Sequence, residues 1–280
     1  MLRNTGAAAA ATRQSPDVVA RRGEVFDMQT ALLRRLLAEA IGTGLLVLVG
    51  AGSVVAALTV GRGQLAYAGL GFISLAFGIV IAVVVYAFGP VSGAHINPAV
   101  TISLAVTRRF PWAEVGPYIL AQLVGAFVGA LLIIAAFGSG AVDLGLGSTA
   151  LGPGVSYWQG IVAEVLGTFL LMFSVMALAV DSRAPLGWAG LMIGLAVAAA
   201  ILLVGPVTGG ALNPARAFGP YLALSVAGGT VSWSEYPVYV IGPIVGAVAA
   251  ALLYDFVAET RAAEVEATEE AYTPNPGEAG

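Results

Sequence analysis

Few side chains in this sequence could do chemistry, and those that could stand among Ala, Gly, Leu and Val. Glu39 lies in AEAIGTG (38–44) and Glu164 in AEVLGTF (163–169). His95 and Asn97 lie in GPVSGAHINPAV (89–100), and Asn213 and Arg216 in GPVTGGALNPAR (205–216). His95 is the single histidine, and no partner for acid–base work stands near it, so a structural role with a useful backbone carbonyl is the better reading. With no cysteine, no paired histidines and no HExxH, neither thiol catalysis nor a metal site is expected, no cofactor is implied, and the chain does not read as an enzyme. The two glutamates admit two chemistries. They could form a proton relay, or each carboxylate could accept from the N–H groups of an unwound segment and hold it in place. Their matching contexts favour the second, and Gln122 could help in the same way. Arg216 either pairs with a nearby carbonyl or acid, or faces a wet cavity where it repels cations and holds a water or hydroxyl. The second reading is preferred.

The elements that must position these residues belong to a bilayer. Of the 280 residues, 59% are hydrophobic and only 10% charged, where a soluble chain carries about a quarter charged. The net charge of −4 marks no nucleic-acid binder. Six apolar runs are long enough to span: Leu36–Val60, Ala66–Phe88, Trp112–Phe137, Tyr157–Val180, Leu186–Val204 and Tyr236–Val257. Pro98–Val106 and Pro214–Leu224 are too short. Residues 1–31 and the acidic 259–280 read as disordered tails around a channel domain over 32–258. No signal-peptide pattern is seen, and the first span is expected to do the targeting. Arg34, Arg35, Arg108, Arg109, Arg183 and Arg261 fall on one side if both termini are cytoplasmic, leaving only Arg62 in an outer loop. The positive-inside rule therefore puts both termini in the cytoplasm.

The two Gly-Pro-Val phrases agree at seven of twelve positions when Asn97 is laid on Asn213. Glu39 matches Glu164 at a slightly longer offset. The chain is thus two copies of a three-span unit, repeat 1 over 32–138 and repeat 2 over 157–258. Three is odd, so the second copy is inverted in the membrane. Each Gly-Pro is expected to end a span, because proline disfavours helix in the residue before it. Each Asn-Pro-Ala reads as a helix start, with asparagine as N-cap and proline at the first helical position. The fold expected is all-α: six transmembrane helices plus two re-entrant half-helices that meet at the midplane around a water-filled path.

These features resemble the aquaporins, the major intrinsic protein family. The resemblance covers roughly residues 32–258 and rests on the six spans, SGAHINPAV, NPARAFGP and the paired glutamates. It implies pore motifs at Asn97, Pro98, Ala99 and at Asn213, Pro214, Ala215. The asparagine NH₂ groups are expected to donate to passing water, with both half-helix N-termini raising the barrier to cations and protons. Carbonyls of Gly93, Ala94, His95, Gly210, Ala211 and Leu212 are expected to replace lost water contacts.

By the same resemblance, the selectivity filter is Phe77, Ile201, Gly210 and Arg216. Strict water channels usually carry histidine where Ile201 stands, and glycerol facilitators usually carry aspartate where Ala217 stands. Phe77 with Ile201 is most similar to the archaeal aquaporin M branch, and the small filter residue to plant nodulin-like channels. The expected function is passive passage of water and small uncharged solutes such as glycerol, through a filter widened by Gly210. The resemblance also implies a homotetramer in the plasma membrane. A secondary transporter, which also uses inverted repeats, is the rival, but it would want acidic or polar ligands at the midplane.

Overall fold

A computed structural model describes the backbone of residues 16–272 and the side chains of residues 31–258. Within the tails read as disordered, the backbone of 16–31 and 259–272 instead continues the first and last helices, and the remaining tail residues lie outside the described ones. Helix α1 covers Pro16–Leu46, passes through a π turn at Val47–Ala51 and finishes as Gly52–Val60. Next come α2, Tyr67–Ser92; α3, Pro98–Val106; α4, Trp112–Phe137; and α5, Tyr157–Val175 with a π turn at Met176–Val180. The chain continues as α6, Ala189–Thr208; α7, Pro214–Val226; and α8, Val238–Tyr272. Among the described residues, six stretches are long and apolar enough to cross a membrane, and α3 and α7 are the two half-helices between them.

Two boundaries differ from expectation for one physical reason. The spans do not end at Gly-Pro: α2 continues through Pro90 to Ser92, and α6 through Pro206 to Thr208. A proline removes one donor and strains one turn, but the packed helix goes on. The stop is the glycine beyond. Gly93 (φ +87°) and Gly209 (φ +79°) turn left-handed and close the last turn on Gly89 and Gly205. The half-helices begin as expected. Asn97 and Asn213 cap them through Oδ1, which accepts from Ala99 N and Ala215 N, both at 2.9 Å.

The packing repeats with the sequence. Helix α1 lies against α4, α5 against α8, and α2 against α6 across the join between the two halves. Small residues let these backbones touch. A Cβ on Gly125 would overlap the Ala40 carbonyl, and one on Gly129 the Gly44 carbonyl. In the second repeat, Gly246 lies in the same way on Val165. Large apolar side chains such as Ile79, Leu120, Leu166 and Leu203 face outward, while Trp112, Trp158 and Trp188 stand exposed near span ends. That is the pattern of a bilayer-facing exterior with interfacial aromatics. A Gly125→Ala change should lower thermal stability in detergent, because the methyl meets rigid backbone. Gly116→Ala, on the same helix with nothing within 4 Å, should not. Equal melting temperatures for the two variants would contradict this packing.

Candidate functional site: a pore between two half-helices

The site starts with the backbone between each span and its half-helix. Ala94 (φ +47°) and Ile96 (φ +43°) are left-handed in the first segment, Gly210 (φ +62°) and Leu212 (φ +55°) in the second. Alternating hand turns successive N–H groups to one side, which makes a cradle for an anion. The anion is a glutamate. Glu39 accepts from His95 N (2.9 Å), Ile96 N (2.6 Å), Ser92 Oγ (2.7 Å) and Gln122 Nε2 (2.8 Å). Glu164 accepts from Ala211 N (2.9 Å), Leu212 N (2.6 Å) and Thr208 Oγ1 (2.6 Å). Both carboxylates are wholly buried. Every hydrogen bond drawn to them holds loop backbone or an adjoining helix, so the geometry is that of a brace and not of an open relay.

With the N–H groups turned toward the glutamates, the segments bring their other side to a cavity of about 440 Å³. Gly93, Ala94, His95, Ala211 and Leu212 line it, as do both motif asparagines, Phe77, Ile201 and Arg216. A Cβ on Gly210 would sit 3.3 Å from Ile201 Cγ1, so Gly210 lies directly against that wall residue. One expectation needs correction: the asparagine NH₂ groups do not face only the cavity. Asn97 Nδ2 donates to Leu212 O at 2.8 Å and Asn213 Nδ2 to Ile96 O at 2.7 Å. Each amide ties one loop to the other and keeps one N–H beyond that bond. Pro98 and Pro214 open the half-helices, and the fully buried Ala99 and Ala215 leave their N-termini free to approach.

Arg216 is 2% exposed and has no acidic partner within salt-bridge distance among the described residues. Its Nη1 donates to Gly147 O at 3.0 Å, its guanidinium carbon lies 5.0 Å from the centre of the Phe77 ring, and its Nε has no protein partner. His95 packs its ring against Phe110 and Tyr118, at 4.7 and 5.2 Å between centroids, with Nδ1 3.2 Å from Thr101 Oγ1. Sequence reasoning missed Tyr118 and Tyr239, whose hydroxyls donate to Ser92 O and Thr208 O, both at 3.0 Å. The signal was there: the offset that lays Tyr118 on Tyr239 also lays Gly125 on Gly246. Gly147 carried no comparable signal.

Six apolar spans, two half-helices meeting N-terminus to N-terminus and a cavity between them define a membrane pore built on an inverted repeat. The profile of the Major intrinsic protein family matches residues 27–254, and the chain belongs to that family. It is 51% identical over 241 residues to Aquaporin AqpM of Methanothermobacter marburgensis, covering 81% of this chain and 98% of that one. It is 38% identical to Aquaporin NIP1-1 of Zea mays, over 80% of this chain and 75% of the plant protein. Its fold is similar to the X-ray structure of the aquaglyceroporin from Plasmodium falciparum, with a TM-score of 0.72 at 26% identity over 80% of this chain and 96% of that one.

Glu164→Gln keeps the shape but replaces charge-assisted bonds by neutral ones, which are about half as strong, and turns one acceptor into a donor facing N–H groups. We expect stability to fall by about 1–3 kcal/mol, with ion exclusion kept. Unaltered stability combined with loss of a pH-dependent flux would support the relay instead.

Proposed function

We propose that this chain is a passive transmembrane channel for water and small uncharged solutes such as glycerol, closed to ions and protons. The observation that carries the reading is the cross-tied pair Asn97 and Asn213, capping two opposed half-helices in the wall of one cavity. Both positive helix ends point at that midpoint, so a cation meets an unfavourable field and must also shed water. Among the described residues, no acid lines the cavity; its ionisable lining is His95, Arg109 and Arg216. A transporter that couples to cations would need acidic ligands there, and Glu39 and Glu164 are already engaged. The channel reading is therefore preferred.

Phe77, Ile201 and Arg216 form the selectivity filter in this reading, with Gly210 behind Ile201. The apolar ring and isoleucine face the carbon chain of a polyol, while Arg216 and loop carbonyls take its hydroxyls. Residues 32–258 act as the channel domain. The arginine distribution supports cytoplasmic termini, which places Arg216 toward the outer mouth and Arg109 at the inner one. The family supports a plasma-membrane homotetramer with a pore in each subunit, measurable as the mass of the detergent-solubilised particle.

Proteoliposomes in stopped-flow light scattering should show raised water permeability without proton current. A proton leak that scales with protein content would sink the reading. Arg216→Val should keep water flux and admit cations or protons; a folded variant as tight as the parent would show that Arg216 is no guard. Ile201→His should lower glycerol flux much more than water flux, because it adds a polar group and bulk to the apolar wall. An unchanged glycerol-to-water ratio would move the filter elsewhere.

A further inference from the structure

We infer that the π turn of α1 sets the aperture of the filter, with Gly50 as the positioning residue behind Phe77. This rests on the channel reading above. Gly50 lies in the π turn Val47–Ala51, and a Cβ built on it would overlap three atoms of the Phe77 ring, the farthest at 2.6 Å. The other side of that ring belongs to the pore: Phe77 lines the cavity and lies under the Arg216 guanidinium. The next residue of the turn backs the other filter partner. A Cβ on Gly147 would lie 2.9 Å from the Ala51 carbonyl carbon, and Gly147 O is the acceptor for Arg216 Nη1. One irregular turn thus stands behind both Phe77 and Arg216.

Helix propensity would choose alanine over glycine at position 50, since Gly50 does not take a positive φ. What requires glycine is the ring. The turn itself is stabilised where winding returns to α: Ser53 Oγ donates to Gly50 O at 2.6 Å, and Gly52 N bonds Val47 O and Val49 O. Single-turn π bulges in α-helices are frequent at functional sites. Here the bulge brings a bare Cα against an aromatic ring. A methyl at that point moves the ring toward the cavity, the empty space beside it.

The test measures water and glycerol permeability of proteoliposomes holding the parent, Gly50→Ala, Phe77→Ala and the double variant. For Gly50→Ala, glycerol flux should fall roughly tenfold and water flux far less, the ring having narrowed the path by part of a methyl width. The double variant should recover glycerol flux to at least the parent value, which a purely structural role for Gly50 would not produce. A conducting parent whose Gly50→Ala variant keeps the same glycerol-to-water ratio overturns the inference alone. A parent no more permeable than empty vesicles overturns the channel reading and this inference with it. Should Gly50→Ala fail to assemble, the double variant decides: assembly regained without the ring supports the contact, and assembly lost in both overturns it.

Discussion

Two buried carboxylates carry the architecture of this pore. Non-glycine residues in left-handed backbone cost about 1–2 kcal/mol each, and Ala94, Ile96 and Leu212 all take that conformation. An isolated carboxylate in a low-dielectric interior costs several kcal/mol more. Neither feature is stable without the other. Two consecutive N–H groups and a hydroxyl meet each carboxylate at hydrogen-bonding distance, and charge-assisted bonds in dry surroundings are strong ones. The brace then fixes the rest. With the donors turned to the glutamates, the loops are held where Asn97 and Asn213 reach each other's carbonyls. The half-helices in turn are seated on those asparagines.

This explains which parts could be read from sequence. Asn-Pro-Ala is a local signal: cap, first-turn proline and small residue act within one turn, so both half-helix starts and the exact bounds Pro98–Val106 were legible. The spans Trp112–Phe137 and Tyr157–Val180 were also legible, because length and hydropathy decide them. The ends at Gly-Pro were misread because proline acts locally but the stop is a glycine three residues further on, inside a packed pair of helices. That Gly210 lies against Ile201 was not legible, because it is a fact of tertiary structure. The carbonyl to which each asparagine NH₂ donates belongs to the opposite repeat, and nothing within either phrase announces it.

The duplication also shows where symmetry is enforced and where it is released. Glu39 with Ser92 and Tyr118 is reproduced by Glu164 with Thr208 and Tyr239, bond for bond. These groups hold backbone, and backbone demands do not depend on which face of the membrane a repeat enters from. Gln122 has no such counterpart: the offset that pairs the tyrosines lays it on Pro243. Its amide serves Glu39 and Thr101, and through Thr101 it reaches the neighbourhood of His95, which also occurs once.

The break that matters for the pore is Val100 against Arg216. Arg216 is tolerated because Gly147 supplies a carbonyl and Phe77 an aromatic face, both held by the π turn of α1. Val100, on the other half-helix, lines the same cavity in company with Ile81, Leu104, Leu171 and Val175. None of those side chains can accept from a guanidinium, and a buried charge lacking acceptors costs several kcal/mol. Arginine at that end would need an acceptor like the Gly147 carbonyl, which belongs to the connection between the two repeats and not to the repeated unit itself. Arg216 therefore has no counterpart on the other half-helix, and the symmetric scaffold carries an asymmetric wall.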